Sequence, residues 1–373
     1  MSKRRVGFCL SDKKRRKMNL VTFAELCATH GLEVIEIDLT QPLASQGPFD
    51  VIVHKLSDVI VEAEYDSQSQ QLLNNFQSYV SAHPSVILLD PLPAMTQLLD
   101  RYASYRIMSK LHHALRDWCV CSPSYLEIKS SSQMSDLQET VQRKGLSFPL
   151  ICKTRVAHGS RSHEMWLIFC PSGLCDVRPP CVLQSFVNHG AVLHKVFVVG
   201  DAHFTVERPS LKNFPSGPCE RESIFFNSHE VSKPESCSDL TALDEQTPLL
   251  PPPSAQAVGA LVAELRTQLG MALFGVDVIL NIHTHTLTVI DINIFPGYEG
   301  VPQFFSFLLS HIESVLDTRE DPQAAGLPAS QATGPPDPQT DPQSLGHCDP
   351  QGAGNSASQA TCSTAPPSPR TTL

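Results

Sequence analysis

The first hundred residues alternate short apolar runs with amphipathic stretches, and this alternation limits the fold more than any other feature. The apolar runs that predict strands are Val6–Leu10, Glu33–Leu39, Val51–His54 and Val86–Leu89. Helical periodicity lies between them at Leu20–Thr29 and Leu72–Val80. Strands that alternate with helices favour a parallel sheet. We therefore expect a parallel α/β domain over residues 1–101.

The pattern changes after residue 102, where a helix is predicted at Tyr105–Asp117 and a mostly polar stretch covers Lys129–Gln142. Three short runs then predict strands at Phe148–Lys153, Met165–Phe169 and Cys181–Phe186. Turns that contain Gly and Pro join these runs, which is typical of an antiparallel sheet. We predict that this sheet forms the centre of a second part, residues 102–186.

A third part is predicted over residues 187–318. It contains a strand at Lys195–Val199, an irregular polar segment, and a helix at Ala255–Leu269. Ser254 suits the N-cap of that helix, and Gly270 suits its C-terminal cap. Residues 319–373 differ sharply, since they repeat Asp-Pro-Gln among small and polar residues. Such a segment buries too little apolar surface to offset its conformational entropy, so we expect a disordered tail.

Composition narrows the class of protein. The chain has 373 residues, 41% of them hydrophobic, so it can bury a sizeable core. Its longest apolar runs, such as Val276–Ile282, fall far short of the ~20 residues that a membrane-spanning helix needs. The 12 cysteines are scattered without Cys-x-x-Cys spacing, which fits reduced thiols. We therefore expect no membrane insertion and a cytoplasmic location.

A predicted hairpin near residue 280 carries the most informative polar residues. Two apolar runs, Phe274–Leu280 and Leu287–Ile294, flank a short polar loop. Because side chains alternate faces along a strand, Asp291 and Asn293 point the same way, and Asp277 can join them from the partner strand. Two carboxylates and an amide oxygen suit Mg²⁺, whose other ligands are usually water and nucleotide phosphates.

Each of these acidic residues also has a simpler interpretation. Asp277 or Asp291 taken alone could lie at a solvent-exposed strand end, where it needs no partner. The three polar residues together, followed by Phe-Pro-Gly, favour the metal site. His283 and His285 in the loop are two histidines without further ligands, and we expect them to be solvated.

Basic residues outside the hairpin point to an anionic ligand. Lys153 ends an apolar strand, where a buried ammonium group is costly without an anion, although a lysine whose amine reaches solvent is the alternative. The run Lys13–Lys17 follows the first strand, at the sheet edge where open α/β folds commonly bind ligands. Two alternatives for the run stay open: a nuclear-import or nucleic-acid patch, and a solvated surface.

Several motifs resemble a known family. Phe274–Asp277 followed by Val289–Asn293 is similar to the metal-binding end of ATP-grasp enzymes. The further motifs are Ile151–Gly159, Ser162–Met165, Lys195–Gly200, Arg208–Phe214 and Asn293–Gly300. Together they resemble the inositol-tetrakisphosphate 1-kinases, the inositol 1,3,4-trisphosphate 5/6-kinase family, over about Arg4–Leu316.

The resemblance implies an α/β fold with α+β character. In this ATP-grasp fold, two antiparallel-sheet subdomains sandwich ATP, and a parallel α/β domain at the amino terminus faces the inositol phosphate. It also implies ATP as co-substrate, two Mg²⁺ ions in the site and a monomeric chain. The expected ligands are inositol tris- and tetrakisphosphates and ATP or ADP, with no nucleic acid.

The resemblance assigns roles to individual residues. The residues implied to bind the sugar phosphates are Lys14, His163, Lys195, Asn293 and Gly297. The residues implied to bind ATP are Arg101, Lys153, Ser210, Ser228, Ser232 and the stretch Gln184, Ser185, Phe186, Val187, Asn188, His189, Gly190, Ala191, Val192, Leu193, His194 and Lys195. Asp277, Asp291 and Asn293 are implied to hold Mg²⁺, and Lys195, Asp277 and Asp291 to act in catalysis.

Two other functions compete with a kinase of inositol phosphates. An ATP-grasp ligase, which joins a carboxylate to an amine through an acyl phosphate, would use the same hairpin. It has no need for so many phosphate-binding residues, so Lys14 and His163 favour the kinase. A noncatalytic nucleic-acid or scaffold protein would use the basic run, but it leaves the grouping of Asp277, Asp291 and Asn293 unexplained.

One prediction follows for the basic run. Replacing Lys14→Ala should raise the KM for the inositol phosphate more than the KM for ATP, because the lysine is assigned to the sugar phosphates. Steady-state kinetics with each substrate varied in turn measure both constants. An equal increase in the two would mean that Lys14 lies elsewhere in the site.

Overall fold

A computed structural model describes residues 3–159, 161–242 and 250–320. The strands are β1 (Arg4–Cys9), β2 (Leu32–Glu36), β3 (Val51–His54), β4 (Ile87–Leu89), β5 (Val120–Cys121), β6 (Tyr125–Ile128), β7 (Leu150–Thr154), β8 (Glu164–Ile168), β9 (Cys181–Ser185), β10 (Val192–Val199), β11 (Ala202–Pro209), β12 (Ile224–Asn227), β13 (Leu273–Leu280) and β14 (Leu287–Ile294). The predicted tail beyond residue 320 lies outside the described residues, and so does Ser160.

Helices connect these strands. The α-helices are α1 (Asp12–Met18), α2 (Leu20–Thr29), α3 (Leu43–Gln46), α4 (Ser57–Glu62), α5 (Ser67–Ala82), α6 (Leu92–Leu99), α7 (Arg101–Ala114), α8 (Leu137–Arg143), α9 (Ser228–Val231), α10 (Ala255–Leu269) and α11 (Phe304–Glu320). Single 3₁₀ turns form at Arg116–Trp118, Ser131–Gln133, Pro171–Asp176 and Asp239–Thr241. Over the three described ranges, no helix is both long and apolar enough to cross a membrane.

The first sheet is parallel, as the alternating pattern predicted. Its strand order is β2-β1-β3-β4, and every neighbouring pair is parallel. Helices cover both faces, because β1 and β3 are buried on both sides: Phe8 and Val53 belong to one apolar cluster, and Cys9 and Ile52 to another. The carboxyl ends of β1 and β3 therefore open onto the same edge of the sheet.

Two five-stranded sheets follow. One has the order β12-β8-β7-β9-β6 and is entirely antiparallel. The other has the order β11-β10-β13-β14-β5, antiparallel except for the short β14–β5 pair. This mixture of parallel and antiparallel sheets with helices confirms the predicted α/β fold with α+β character. The described residues all fall in one compact unit, so the domain boundaries at residues 101, 186 and 318 stay predictions.

Helix α10 matches its predicted bounds at both ends. The Ser254 side chain accepts a hydrogen bond from the backbone N–H of Ala257, and Gly270 ends the helix in the left-handed conformation, with φ 62°. The buried face of the helix includes Leu261 and Leu265, which lie in the large core shared with the first and third sheets. Helical spacing of apolar residues therefore placed this element correctly.

The prediction of an irregular polar segment after residue 199 is wrong in two places. Residues Ala202–Pro209 form β11, and Ile224–Asn227 form β12. Both are edge strands: β11 mixes polar and apolar residues, and β12 is a run of only four residues, so neither gives a strong strand signal. The turn at Gly200 and Asp201 pairs β11 with β10 along its whole length. The predicted polar stretch Lys129–Gln142 likewise contains a helix, α8, which is anchored by buried Leu137 and Val141.

A buried carboxylate ties the first sheet to the third. Asp90, just after β4, accepts hydrogen bonds from the backbone N–H groups of Ala272 (2.7 Å) and Leu273 (2.9 Å). Burial raises the pKa of Asp90 to about 6, although these two hydrogen bonds oppose the rise. Because Leu273 begins β13, this contact holds the strand that carries Asp277 against the amino-terminal part.

Gly200 allows a stability test with a matched control. Its backbone has φ 60°, and an added Cβ would overlap the ring of His311 on α11. Gly145 has a similar φ of 66° but open space around it. We expect Gly145→Ala to lower the free energy of unfolding by about 1 kcal/mol and Gly200→Ala by more than about 2 kcal/mol. Urea denaturation of both variants measures this difference, and equal losses would contradict the predicted overlap.

Candidate functional site

A cavity of about 890 Å³ opens among the three sheets. Residues from β7, β8 and β9 line one side, and residues from β10, β13 and β14 line the other. Lys14 of α1, the helix after β1, and Lys55, which follows β3, line the end next to the first sheet. The cavity is therefore bounded by residues that lie far apart in the chain.

Strand alternation places the polar side chains in this cavity. On β13, Phe274, Val276 and Val278 are fully buried in the main core, whereas Asp277 lines the cavity. On β7, Leu150 belongs to an apolar cluster on the far face, and Lys153 faces the cavity. The period-two pattern of each strand thus separates the core from the site.

The predicted hairpin forms, and it brings the three candidate metal ligands together. Asp277 on β13 lies directly opposite Asp291 on β14, and Asn293 lies opposite Gly275. The pairing shifts register between Asp277 and Val278. All three candidate ligands line the cavity, so two carboxylates and one amide oxygen share one face of the sheet.

Two cations hold these carboxylates in place. Arg101, the first residue of α7, donates from one guanidinium nitrogen to both oxygens of Asp291, at 3.1 and 3.2 Å. Its other nitrogens donate to the carbonyls of Thr154 (3.1 Å) and Ser162 (2.9 Å). Lys195 on β10 donates to both oxygens of Asp277, at 3.0 and 3.1 Å. Arg101 therefore connects α7 to Thr154 of β7, to Ser162 and to Asp291 of the hairpin.

These cations decide the charge of Asp291. Burial by itself raises the pKa of this carboxyl, but the positive charges of Arg101, Lys153 and Lys195 outweigh burial and hold its pKa below the usual value. Asp291 is therefore ionised at neutral pH. An ionised carboxylate is the form that a metal ion binds.

The donor set fits Mg²⁺ better than a transition metal. Across residues 3–159, 161–242 and 250–320, no three His, Cys, Asp or Glu side chains gather as a potential metal site. The loop residues His283 and His285 are exposed, as predicted. The oxygens of Asp277, Asp291 and Asn293 are hard ligands, which suit magnesium.

Lys153 is almost fully buried at the back of the cavity. Its ammonium group donates to the carbonyl of Ile290 at 3.0 Å and lies 5.4 Å from the centre of the Tyr105 ring. Burial lowers the pKa of Lys153 to about 8, with the nearby Asp291 charge opposing the change. The Tyr105 hydroxyl in turn donates to the side chain of Gln184. Lys153 is thus a positioned donor and not a lysine whose amine reaches solvent.

The stretch Gln184–Lys195 only partly faces the cavity. The residues that line it are Gln184, Phe186, Val187, His189, Leu193 and Lys195. The residues that do not are Ser185, Asn188, Gly190, Ala191, Val192 and His194. Asn188 exchanges hydrogen bonds with the backbone of Phe214, and the Ser185 hydroxyl accepts one from Ser147 N–H. These residues shape the turn and leave their neighbours to face the cavity.

The three candidate serines line the cavity, and each is held by a different hydrogen bond. Ser210 hydrogen-bonds its hydroxyl to Nε2 of buried His189 at 2.7 Å. Ser228 donates its backbone N–H to the carbonyl of His163 at 2.9 Å, and Ser232 closes the short helix α9. Burial lowers the pKa of His163, and neighbouring His229 adds to the effect.

Lys14 lies at the opposite end of the cavity, on α1. It is only 8% exposed, and its ammonium group donates to the carbonyls of Phe295 (3.3 Å) and Pro296 above the Phe295 ring. Burial lowers the pKa of Lys14 to about 6, and the charges of Lys55 and Lys17 add to this effect. The loop that carries candidate Gly297 therefore contacts Lys14 directly.

Sequence reasoning missed several cavity residues. Lys55 follows β3 as Lys14 follows β1, and it donates to the Phe295 carbonyl at 3.1 Å. Its place at the carboxyl end of a parallel strand was a usable signal. His158 reaches Ser57 (3.1 Å) and Asp58 (2.6 Å) on α4, a contact that no local pattern predicts.

Three further basic residues belong to the same part of the sequence, namely Arg208, Lys212 and Arg221. Of these, only Arg208 lines the cavity, where it donates to the carbonyl of Glu299 at 2.8 Å. Arg221 instead stacks its guanidinium group over the rings of Phe169 and Phe214, at 5.2 and 5.7 Å. Arg221 therefore supports the apolar packing and not the cavity.

Solved structures with similar folds are ATP-grasp enzymes. The D-cycloserine synthetase DcsG aligns with a TM-score of 0.53 and 11% identity, covering 83% of this chain and 99% of its own. A D-alanine–D-alanine ligase from Bacillus anthracis complexed with ATP aligns with a TM-score of 0.50 and 14% identity, covering 86% and 100%. At such low identity these likenesses establish the fold alone.

Comparisons of amino-acid sequence find relatives at much higher identity than these solved structures. An inositol-tetrakisphosphate 1-kinase of Xenopus laevis is 50% identical over 332 residues, which cover 89% of this chain and 83% of the relative. One of Danio rerio is 52% identical over 314 residues, which cover 84% and 79%. Inositol-tetrakisphosphate 1-kinase 3 of Oryza sativa subsp. indica is 36% identical over 319 residues, which cover 84% of each chain.

The two described family domains also match in sequence order. Residues 5–95 match the inositol 1,3,4-trisphosphate 5/6-kinase pre-ATP-grasp domain, and residues 114–314 match its ATP-grasp domain. Together these ranges cover most of the chain, including every candidate site residue except Arg101. The chain therefore belongs to the inositol 1,3,4-trisphosphate 5/6-kinase family and has the ATP-grasp fold.

Proposed function

We propose that this protein transfers the γ-phosphate of ATP to a hydroxyl of an inositol polyphosphate. The acceptors are the 1-position of inositol tetrakisphosphate and the 5- or 6-position of inositol 1,3,4-trisphosphate, in keeping with the names of the family and of its relatives. The observation that carries the proposal is that one cavity holds two groups of charged residues, which we call its carboxylate end and its cationic end. At the carboxylate end Asp277 and Asp291 are paired with Lys195 and Arg101, and at the cationic end Lys14 and Lys55 meet at the Phe295 carbonyl.

The carboxylate end suits the nucleotide phosphates. Asp277, Asp291 and Asn293 would hold Mg²⁺, which when bound neutralises phosphate charge and orients the phosphates for transfer. Lys153 and Arg101 lie beside Asp291 and add donors for phosphate oxygens. Phosphoryl transfer asks the protein mainly for alignment and charge stabilisation, which these residues can supply.

The remaining candidates divide between the two substrates. We assign the cavity-lining part of Gln184–Lys195, with Ser210, Ser228 and Ser232, to ATP. Lys14, His163, Asn293 and Gly297 are assigned to the inositol phosphate. Lys195 lies between the two groups and contacts Asp277, so it can reach the phosphate in transit. No general base is assigned, because a loose transition state does not require one.

Because Lys14 is buried, its protonation state depends on whether an anion is bound beside it. A lysine whose pKa is near 6 is largely uncharged at neutral pH, but a phosphate beside it favours the ammonium form. The carbonyls of Phe295 and Pro296 already orient this nitrogen. Binding of the substrate therefore protonates Lys14, whose position these two hydrogen bonds already fix.

The structure weakens the two competing functions. A carboxylate–amine ligase needs no cluster of cations for a sugar polyphosphate, whereas Lys14, Lys55 and Arg208 line one end of this cavity. A nucleic-acid patch needs an exposed basic run. Here Lys14 is buried, and Arg15 and Lys17 pair with Glu36 and Glu299.

The proposal also includes the number of Mg²⁺ ions, the oligomeric state and the cellular location. Two Mg²⁺ ions are supported by two carboxylates, Asp277 and Asp291, on neighbouring strands of the cavity. A monomer is supported by the candidate residues for both substrates, which one chain brings to a single cavity. A cytoplasmic location is supported by the thiols, since each cysteine of the described ranges is free.

Asp291 provides the direct test of the proposed function. Purified protein with MgATP should phosphorylate an inositol tetrakisphosphate, and Asp291→Asn should lower kcat by at least about 100-fold, because the variant loses a metal ligand and charge balance. Asp317→Asn, on the surface beside Arg4, serves as the control and should retain activity. Chromatography against positional isomers identifies the product. A wild type inactive on a full panel of inositol phosphates would remove the kinase proposal.

The buried charge of Lys14 predicts a pH dependence of stability. Between pH 6 and 10.5 the unfolded chain holds a proton on this lysine that the folded chain lacks, so stability rises with pH. We expect the unfolding free energy of the wild type to rise relative to Lys14→Met by up to about 1 kcal/mol per pH unit. Urea titrations from pH 6.5 to 9 measure the slope. Parallel curves would mean that Lys14 is charged in the folded protein.

A further inference from the structure

One carboxylate lies at the cationic end of the cavity, where a polyanionic substrate would repel it. Five carboxylates of the described chain line the cavity: Asp58, Glu230, Asp277, Asp291 and Glu299. Asp277 and Asp291 have a role as metal ligands in the proposed function. Asp58 pairs with His158, and Glu230 pairs with Lys233 on its own short helix. Glu299 is also paired, with Lys17 of α1, but its pair differs from the others because it lies directly beside the candidate substrate-binding residue Gly297.

The backbone around Glu299 is held firmly. Tyr298 is buried, stacks on the Phe304 ring at a centroid distance of 4.3 Å, and donates its hydroxyl to the Val198 carbonyl at 2.7 Å. The carbonyl of Glu299 itself accepts a hydrogen bond from Arg208 at 2.8 Å. These contacts anchor the main chain at Glu299, and the ion pair with Lys17 directs its carboxylate toward α1.

This carboxylate lies beside the candidate substrate-binding residue Gly297. The Glu299 carboxylate forms an ion pair with Lys17 of α1. A Cβ added at Gly297 would lie 3.3 Å from Glu299 Oε1 and 3.4 Å from Lys17 Nζ. The ion pair therefore lies directly beside Gly297, which is itself exposed, so a phosphate of the substrate that approached Gly297 would meet both side chains.

Glu299 is charged in this position. Its hydrogen bond and ion pair with Lys17 lower its pKa, and the charges of Arg208 and His229 add to the effect against a smaller contribution from burial. The side chains of Lys17 and Glu299 are 45% and 54% exposed, so a ligand can reach both. A phosphate placed here meets a negative charge and a lysine that is already paired.

We propose that Glu299 limits how many phosphates the inositol ring can carry in this site, a proposal that rests on the proposed function. Its carboxylate keeps Lys17 neutralised and repels a phosphate next to Gly297. Each phosphate group adds about 1.5 to 2 negative charges, so this repulsion grows with every added group in that part of the cavity. Glu299 is thus a specificity-determining residue that favours the less phosphorylated ligands.

Inositol hexakisphosphate is the suitable probe, because it has no free hydroxyl and reports binding alone. Its inhibition constant is measured in competition with inositol 1,3,4-trisphosphate, in the wild type and in Glu299→Gln. We expect the variant to bind the hexakisphosphate about three to five times more tightly while the KM for the trisphosphate changes less than twofold, as fits one partly exposed charge. The gain should shrink at high salt.

Three further variants separate charge from structure. Glu299→Asp keeps the negative charge and should keep the wild-type inhibition constant. Glu33→Gln removes a carboxylate that pairs with Arg5 outside the cavity, at 3.1 Å, and should change neither constant. Lys17→Ala should weaken hexakisphosphate binding more in the Glu299→Gln background than in the wild type, because only there is the lysine released.

The results distinguish the proposed role of Glu299 from the proposed kinase function on which it rests. A hexakisphosphate constant that does not fall in Glu299→Gln, or that falls together with the trisphosphate KM, would overturn the role of Glu299 while leaving the kinase intact. Loss of discrimination in Glu299→Asp would also overturn it. A wild type that fails to phosphorylate the trisphosphate would instead overturn the proposed function.

Discussion

The ion pair between Arg101 and Asp291 is the contact on which the site depends. A carboxylate buried on a strand is costly unless a cation and hydrogen bonds accompany it. Arg101 provides both, and its remaining nitrogens bind the carbonyls of Thr154 and Ser162. One guanidinium group thus joins α7, the hairpin and the β7–β8 region. The position of the candidate metal ligands therefore depends on how the two five-stranded sheets pack together.

The cavity owes its polarity to simple strand geometry. Alternate residues of β7, β13 and β14 enter the apolar core, and the residues between them carry charge into the cavity. Asp277 and Asp291 are paired with Lys195 and Arg101, whereas Lys14 and Lys55 form a second basic group that meets at the Phe295 carbonyl. This second basic group, and not the fold, favours a kinase of inositol polyphosphates over the ligases that share the fold. Glu299 is the exception that the proposed limit on phosphate number explains.

Local pattern predicted the elements with strong periodicity. Leu20–Thr29 and Ala255–Leu269 form helices with the predicted bounds, because their apolar faces are regular and the second has caps at both ends. The hairpin and its facing acidic residues also followed from alternation. Strand β11 escaped prediction, since an edge strand is held by pairing with its neighbour rather than by apolar residues. The proposed role of Arg101 in ATP binding rests on the family resemblance alone.

The sequence by itself determined the parallel first sheet, the acidic hairpin and the likeness to the family, because each depends on residues close together in the chain. Only the tertiary structure decided which charges meet. Lys55 joins Lys14 because β1 and β3 end at the same sheet edge, and Lys17 meets Glu299 across the whole length of the folded chain. Such pairings depend on the three-dimensional packing of distant segments, which no local pattern of residues encodes.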